Sequence, residues 1–308
     1  MSNTELVKLN KKYGIRDQLI FTEGPGGFIV AEISNPHAEA TVALHGGHIM
    51  SFRPRDHEPV LWLSRHSYFK TGKAIRGGIP VCWPWFGDHP TDTDKPAHGF
   101  VRTAVWSVSE SEKLADESTR LKLSIADSEE TMQLWPHRFK LEIDITVSNV
   151  LRIELIATNS DGQPIKCGGA LHSYFNISSI SSIMIKGLEG CQYLDKVDQG
   201  RRKVQEGSIS FKRETDRIYL DTTADCIIED SGIPRRIRIS KKGSQTTVVW
   251  NPWIAKAGRM KDFGDDEYKR MVCVETTNAD ADVISLAPGN THTLEATIRL
   301  ESLTGNDE

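Results

Sequence analysis

Alternation with a period of two constrains this chain more than any other feature. In Phe139-Lys140-Leu141-Glu142-Ile143-Asp144-Ile145-Thr146-Val147, apolar and polar residues take turns without a break. That pattern suits a strand with one face in a core and one in water, and it places no continuous apolar stripe on a helix. Leu151, Ile153 and Leu155 repeat it at once, which predicts a hairpin around Ser148-Asn149. The same alternation runs through Ile29, Ala31 and Ile33, through Ala40, Val42 and Leu44, through Leu121, Leu123 and Ile125, and through Leu294, Ala296, Ile298 and Leu300. Helical periodicity is almost absent. Asp127 to Trp135 is the best internal candidate, with Asp127 and Glu130 at capping-box spacing, and residues 2–12, with Ser2 and Glu5 ahead of Leu6 and Leu9, read as either a short capped helix or a frayed terminus. An all-β chain follows, an antiparallel sandwich rather than βαβ units.

No change of composition and no low-complexity linker divides the 308 residues. The expected layout is an N-terminal extension over 1–20, a single sandwich domain over 21–302 and a disordered tail over 303–308. The net charge of -4 is too small to argue for a polyanion-binding surface. The densest basic run, Arg235-Arg236-Ile237-Arg238-Ile239-Ser240-Lys241-Lys242, alternates with isoleucine and reads as a strand with a wet outer face, not a nucleic-acid patch. The five cysteines are odd in number and lack CxxC spacing, so reduced thiols are expected rather than zinc clusters or a disulfide framework. The opening residues form no secretory leader, and no apolar run is long enough to span a membrane. A cytoplasmic monomer is the expectation, with neither nucleic acid nor membrane as partner.

Four stretches carry residues suited to chemistry. Arg76-Gly77-Gly78-Ile79-Pro80-Val81-Cys82-Trp83-Pro84-Trp85-Phe86-Gly87 continues into Ala97-His98-Gly99-Phe100-Val101-Arg102. Two guanidiniums flank a rigid aromatic wall, and each can fork two N–H donors onto a phosphate or carboxylate. The plainer reading, a turn region with surface arginines and core tryptophans, stays open at this point. In Ala170-Leu171-His172-Ser173-Tyr174-Phe175-Asn176, alternation sets His172, Tyr174 and Asn176 on one face and Leu171 and Phe175 on the core side. Arg270-Met271-Val272-Cys273-Val274-Glu275-Thr276-Thr277-Asn278 reads as a strand whose apolar run ends on a carboxylate, a costly residue to bury unless it is paired, solvated at a cleft or functional. Val249-Trp250-Asn251-Pro252-Trp253 repeats the aromatic-proline pattern, and Asp216 lies in a polar turn where a capping role is the simpler reading.

Other chemistries lack their marks. His45-Gly46-Gly47-His48 has no partner at metal-ligand spacing and reads as a glycine turn between strands. There is no GxSxG elbow, no GxGxxG and no P-loop. A glycoside hydrolase needs two carboxylates about the scissile oxygen, whereas these motifs offer one carboxylate and one histidine.

Taken together and in this order, Arg76-Gly-Gly-Ile-Pro, Ala97-His98-Gly99-Phe100-x-Arg102, Leu171-His172-Ser-Tyr-Phe, Val249-Trp250-Asn251-Pro252-Trp253 and Cys273-Val274-Glu275 resemble the D-hexose-6-phosphate mutarotases. These are the glucose-6-phosphate 1-epimerases of the aldose 1-epimerase superfamily. The resemblance runs from about Leu44 to the final strand. It implies a galactose-mutarotase-like β-supersandwich, no cofactor and no metal, and interconversion of the α and β anomers of a hexose 6-phosphate. It also implies His172 as general acid at the ring oxygen, Glu275 as general base at the anomeric hydroxyl and His98 as a sugar contact. Arg76 and Arg102 would hold the phosphate, and Asp216 the sugar hydroxyls. Eukaryotic members often carry Gln before the motif histidine, where this chain has Ala97; a contact from that amide is absent here or replaced. His48 resembles a family strand near the site and is assigned at most a contact. Two alternatives remain: a non-catalytic sugar-phosphate-binding sandwich, and a mutarotase of unphosphorylated aldoses.

Overall fold

The computed structural model describes residues 3–303. Ser2 and the tail beyond Leu303 lie outside the described residues. The alternating runs become strands, and the sheets they form pair antiparallel throughout.

One eight-stranded sheet takes the order Ile183–Lys186, Cys226–Asp230, Arg235–Lys242, Thr291–Ser302, Val150–Asn159, Phe139–Val147, Thr119–Ala126, Ser107–Lys113. Its centre is the expected hairpin, with Val147 opposite Leu151 across the Ser148-Asn149 turn. Leu141, Ile143, Ile145, Leu151 and Ile153 point into the core and are buried. Each such side chain contributes roughly 1.5–3 kcal/mol on leaving water. The basic strand behaves as read, with Ile237 and Ile239 inside and Arg236 and Arg238 paired to Glu229 and Glu301 on the outer face. A four-stranded meander, Leu19–Glu23, Ile29–Ser34, Ala38–Ala43 and His48–Pro54, lies beside it. The Asn35 amide locks the two together by donating to the Val147 carbonyl at 2.9 Å and the Thr119 hydroxyl at 3.0 Å.

The second eight-stranded sheet carries the candidate site. Its order is Arg201–Val204, Gln192–Asp195, Thr215–Tyr219, Thr246–Asn251, Met271–Asn278, Gly169–Leu171 and Val81–Cys82, with Tyr174–Asn176 also pairing along Met271–Asn278. Ile165–Cys167 and Ile284–Leu286 form a small separate ladder.

The helices are short. Asn3–Tyr13 packs onto the sandwich through Leu6, Leu9 and Tyr13, and the Asn10 side chain both donates to and accepts from the Phe21 backbone at 2.7 Å. The internal helix covers Glu129–Leu134, but its cap differs from the expected one. Ser128, not Asp127, accepts from the backbone N–H of Thr131, and Thr131 answers with its own hydroxyl. Asp127 instead accepts from the Phe139 N–H, closing the start of the neighbouring strand. All five cysteines are free thiols.

Candidate active site

Three of the four candidate stretches meet on the Met271–Asn278 strand. Glu275 is not at its end: the strand runs on through Thr276, Thr277 and Asn278, and the carboxylate is 1% exposed. The apolar run stops at Glu275, but threonine and asparagine continue the ladder because backbone pairing, not side-chain polarity, sustains a strand. On one side lies Thr246–Asn251, with Val248 opposite Glu275. On the other, the histidine segment breaks into Gly169–Leu171 and Tyr174–Asn176, both paired to the same strand. His172 sits at the break. Its N–H donates to the Pro80 carbonyl at 3.0 Å, which ties it to the Arg76–Gly87 stretch.

His172 Nδ1 comes to 3.4 Å from Glu275 Oε1, without hydrogen-bond alignment, and among the described residues neither Nδ1 nor Glu275 Oε2 has a hydrogen-bond partner. Burial drives the His172 pKa well below 6.5, helped by His98, Arg76 and Arg102. Burial also lifts Glu275 well above 4.5; Asp216 adds to the rise and Arg102 opposes it. Both groups are thus pressed toward their neutral forms, which together hold one proton. The Tyr174 ring stacks on the imidazole, centroids 4.8 Å apart and planes 6° from parallel, and Trp250 meets it edge-on at 6.3 Å.

His98 reaches the same place, its ring 5.6 Å from that of His172. Its backbone is left-handed, with φ 64°, and it exchanges bonds with Gly87: the His98 N–H donates to the Gly87 carbonyl, and the Gly87 N–H donates to His98 Nδ1 at 3.3 Å. Burial, then Arg102 and Arg76, press its pKa down to about 3. With Nδ1 accepting, a neutral His98 carries its proton on Nε2 and is a donor there. The next residue must be glycine. Gly99 has φ 70°, and a Cβ would lie 1.9 Å from the Trp83 carbonyl oxygen.

The two arginines differ. Arg76 is already engaged: Nε and Nη2 reach Asp262 Oδ2 at 3.1 and 3.0 Å, and Nη1 donates to the Tyr174 hydroxyl at 2.9 Å. Burial opposes its charge, but Tyr174 and Asp262 overcome that and hold its pKa above the usual arginine value. Arg102 donates to the Ala97 carbonyl at 2.7 Å and forms no ion pair with any described carboxylate. Ala97 therefore contributes its backbone to this site.

Asp216 lies inside the Thr215–Tyr219 strand rather than in a turn ahead of it, and it caps nothing. Backbone pairing with Trp250 draws it into the sheet, where burial raises its pKa and Lys256, 3.6 Å away, pulls it back. Lys256 also pairs with Glu214 at 3.1 Å and hangs over the Trp250 ring.

Other candidates are engaged in hydrogen bonds within the framework. Asn251 is fully buried; it donates to the Tyr268 and Met271 carbonyls at 2.9 Å and accepts from the Trp253 N–H. Asn176 donates to the Pro59 carbonyl. His48 is fully buried, with Nε2 donating to the Gly77 carbonyl at 2.8 Å, so it braces the turn behind Arg76. His45 and His48 do flank a turn between strands.

The sequence reading missed three residues. Asp262 and Lys256 sit in segments with no motif around them. Cys273 had a signal: two positions before Glu275, it shares a strand face with the carboxylate. The donor atoms of His172, Cys273 and Glu275 lie within 4.8 Å of one another, and all three residues are buried.

Comparison with known proteins bears on this geometry. The family described as aldose 1-epimerase matches residues 30–299. An Escherichia coli (strain K12) protein named "Putative glucose-6-phosphate 1-epimerase" is 39% identical over 248 residues, covering 80% of this chain and 82% of that one. The crystal structure of "a putative mutarotase (YeaD) from Salmonella typhimurium" superposes with a TM-score of 0.88 at 33% identity, covering 96% and 99% of the two chains. A galactose mutarotase related enzyme from Lactobacillus acidophilus, at 14% identity and TM-score 0.72 over 91% and 99%, shares the fold.

Proposed function

The chain belongs to the aldose 1-epimerase family, and on that premise we propose that it interconverts the α and β anomers of a hexose 6-phosphate, glucose 6-phosphate foremost. The fold is the galactose-mutarotase-like β-sandwich, and the protein is an isomerase of the epimerase type. The substrate and the residue roles below are the proposal.

Opening a cyclic hemiacetal takes a proton from O1 and delivers one to the ring oxygen. The chain then turns about C1–C2, and reclosure on the other carbonyl face reverses both transfers. A couple holding one proton is what this needs, and each partner contributes about 10²–10⁴-fold when suitably tuned. The observation that carries the reading is the buried His172–Glu275 pair at 3.4 Å, with unpartnered atoms on both members. Burial favours its imidazole and carboxylic acid form at rest. Moving that one proton across gives imidazolium and carboxylate, the form in which His172 is the acid and Glu275 the base. A phosphate dianion arriving nearby favours the imidazolium, and Arg102 favours the carboxylate.

Arg102, without a carboxylate of its own, is the principal phosphate anchor in this reading. Arg76 adds to the clamp from its pairing with Asp262 and Tyr174. His98 offers Nε2–H to a sugar oxygen, and Asp216 accepts from hydroxyls. Holding the far end of the sugar keeps the ring still while C1 turns over. The neutralisation of Arg76 by Asp262 favours a second reading, a mutarotase of unphosphorylated aldoses.

Magnetisation-transfer NMR of anomer exchange, on glucose 6-phosphate and on glucose, separates the readings. Faster exchange of the phosphate alone supports the proposal. Equal acceleration of both moves the assignment to free aldoses, and silence on every sugar tried leaves a binding protein.

A further inference from the structure

Cys273 has no part in the proton transfers, yet it stands beside both groups that do. It occupies the same face of the Met271–Asn278 strand as Glu275, and the ladder register sets Tyr174, whose ring lies on His172, directly opposite it. An imidazole from the strand break and a thiol and a carboxyl from the adjoining strand thus converge, with their donor atoms within 4.8 Å of one another and the residues buried. We propose that His172, Cys273 and Glu275 form a site for a thiophilic divalent cation of the zinc class, and that filling it shuts off the acid–base pair.

Zinc takes nitrogen, sulfur and oxygen donors tetrahedrally at about 2.0–2.3 Å, so two ligands of one ion stand roughly 3.3–3.8 Å apart. The His172 Nδ1 to Glu275 Oε1 separation of 3.4 Å already falls in that range. The remaining donor separations are at most 4.8 Å, so an ion draws the thiol and its partners closer as it binds. A second feature points to a ligand: His172 Nδ1 and Glu275 Oε2 are buried polar atoms without a hydrogen-bond partner among the described residues. Such atoms are costly to leave unmet. Three protein donors leave a fourth position for water or a substrate oxygen, the arrangement of an open zinc site.

Charge is balanced in the occupied form. As the ion enters, the thiol and the carboxylic acid each release a proton to water, and Zn–S and Zn–O bonds replace S–H and O–H. Thiolate plus carboxylate then match the two positive charges of the cation. Nearby, Arg76 is offset by Asp262, so Arg102 is the remaining cation whose charge opposes entry. Sulfur in the donor set selects zinc, cadmium or cobalt over magnesium and calcium, which prefer oxygen. An ion held here ties up both His172 and Glu275, so it acts as an inhibitor competing with the sugar, not as a cofactor.

Cobalt(II) alone, titrated into the full-length protein, tests the site without reference to activity. One equivalent should produce a thiolate-to-cobalt charge-transfer band in the near ultraviolet. The band should be lost in Cys273→Ser and kept in Cys191→Ala, since Cys191 is half-buried whereas the other four cysteines are buried. Cys273→Ala serves the same purpose if the serine variant fails to fold. In parallel, zinc should slow anomer exchange, with the half-inhibiting concentration raised about 100-fold or more when the thiol is removed, since even outer-shell changes cost 10–100-fold in metal affinity. Absence of the band in the wild-type protein, its persistence in Cys273→Ser, or equal zinc sensitivity of the two proteins overturns the proposal. If no sugar is turned over, the cobalt titration still decides the metal site, so the failure of one idea is distinguishable from the failure of the other.

Discussion

His172, at the break between Gly169–Leu171 and Tyr174–Asn176, faces Glu275 of the adjoining strand with 3.4 Å between Nδ1 and Oε1, and burial presses both toward neutrality. A carboxylic acid beside an imidazole and a carboxylate beside an imidazolium contain the same number of protons. The site can therefore be unreactive toward water and still be loaded for a reaction that moves one proton in and one out.

Glu275→Gln should lower the anomer-exchange rate by about 10²–10⁴-fold and yet stabilise the protein at neutral pH. The sign follows from linkage. The folded pKa of Glu275 is raised, so its contribution to stability is full below the unfolded value of 4.5 and is lost as pH rises through the raised one. Glutamine has no such loss. Thermal melts from about pH 5 upward should show the variant's advantage growing with pH. An advantage that shrinks with pH would refute the buried-acid account.

The pH profile of kcat/KM should be broad. Its acid limb marks a second proton joining the pair on His172, whose pKa is held well below 6.5 by burial, so the limb falls below that value. Its alkaline limb marks loss of the shared proton from Glu275. Measuring exchange rates across pH checks this, and an acid limb at or above 6.5 counts against the assignment.

Arg102→Leu should raise KM for glucose 6-phosphate about 10–150-fold, the equivalent of roughly 1.5–3 kcal/mol for hydrogen bonds to a charged group. It should lower any turnover of glucose much less, through the loss of its charge near Glu275. Steady-state kinetics on both sugars reads the contrast. An equal effect on the two would show that Arg102 supports the site's structure and does not select for phosphate.

Gly99→Ala should cripple the site. The left-handed backbone and a Cβ placed 1.9 Å from the Trp83 oxygen force the loop to move, and His98 moves with it. Activity and melting temperature should both fall, whereas Gly207→Ala, with open space around its Cβ, should mainly report the strain of a positive φ. Comparable activity in the two variants would contradict the steric argument.

Local pattern determined a large part of this protein. Period-two alternation placed the Phe139–Val147 and Val150–Asn159 hairpin, the basic outer face of Arg235–Lys242 and the burial of Leu171 and Phe175, because a pleated strand shows alternate residues to core and water whatever its neighbours are. The motifs also named six residues that the fold brings into one neighbourhood: Arg76, His98, Arg102, His172, Asp216 and Glu275. Tertiary structure decided how they are used. That Glu275 lies in mid-strand, that Asp216 is drawn into the sheet beside Trp250, that Asp262 engages Arg76 from 186 residues away, and that Cys273 stands with His172 and Glu275 all depend on which strands become neighbours. Strand pairing is a long-range choice made by packing and backbone hydrogen bonds, and short sequence windows carry the alternation of a strand but not the identity of its partner.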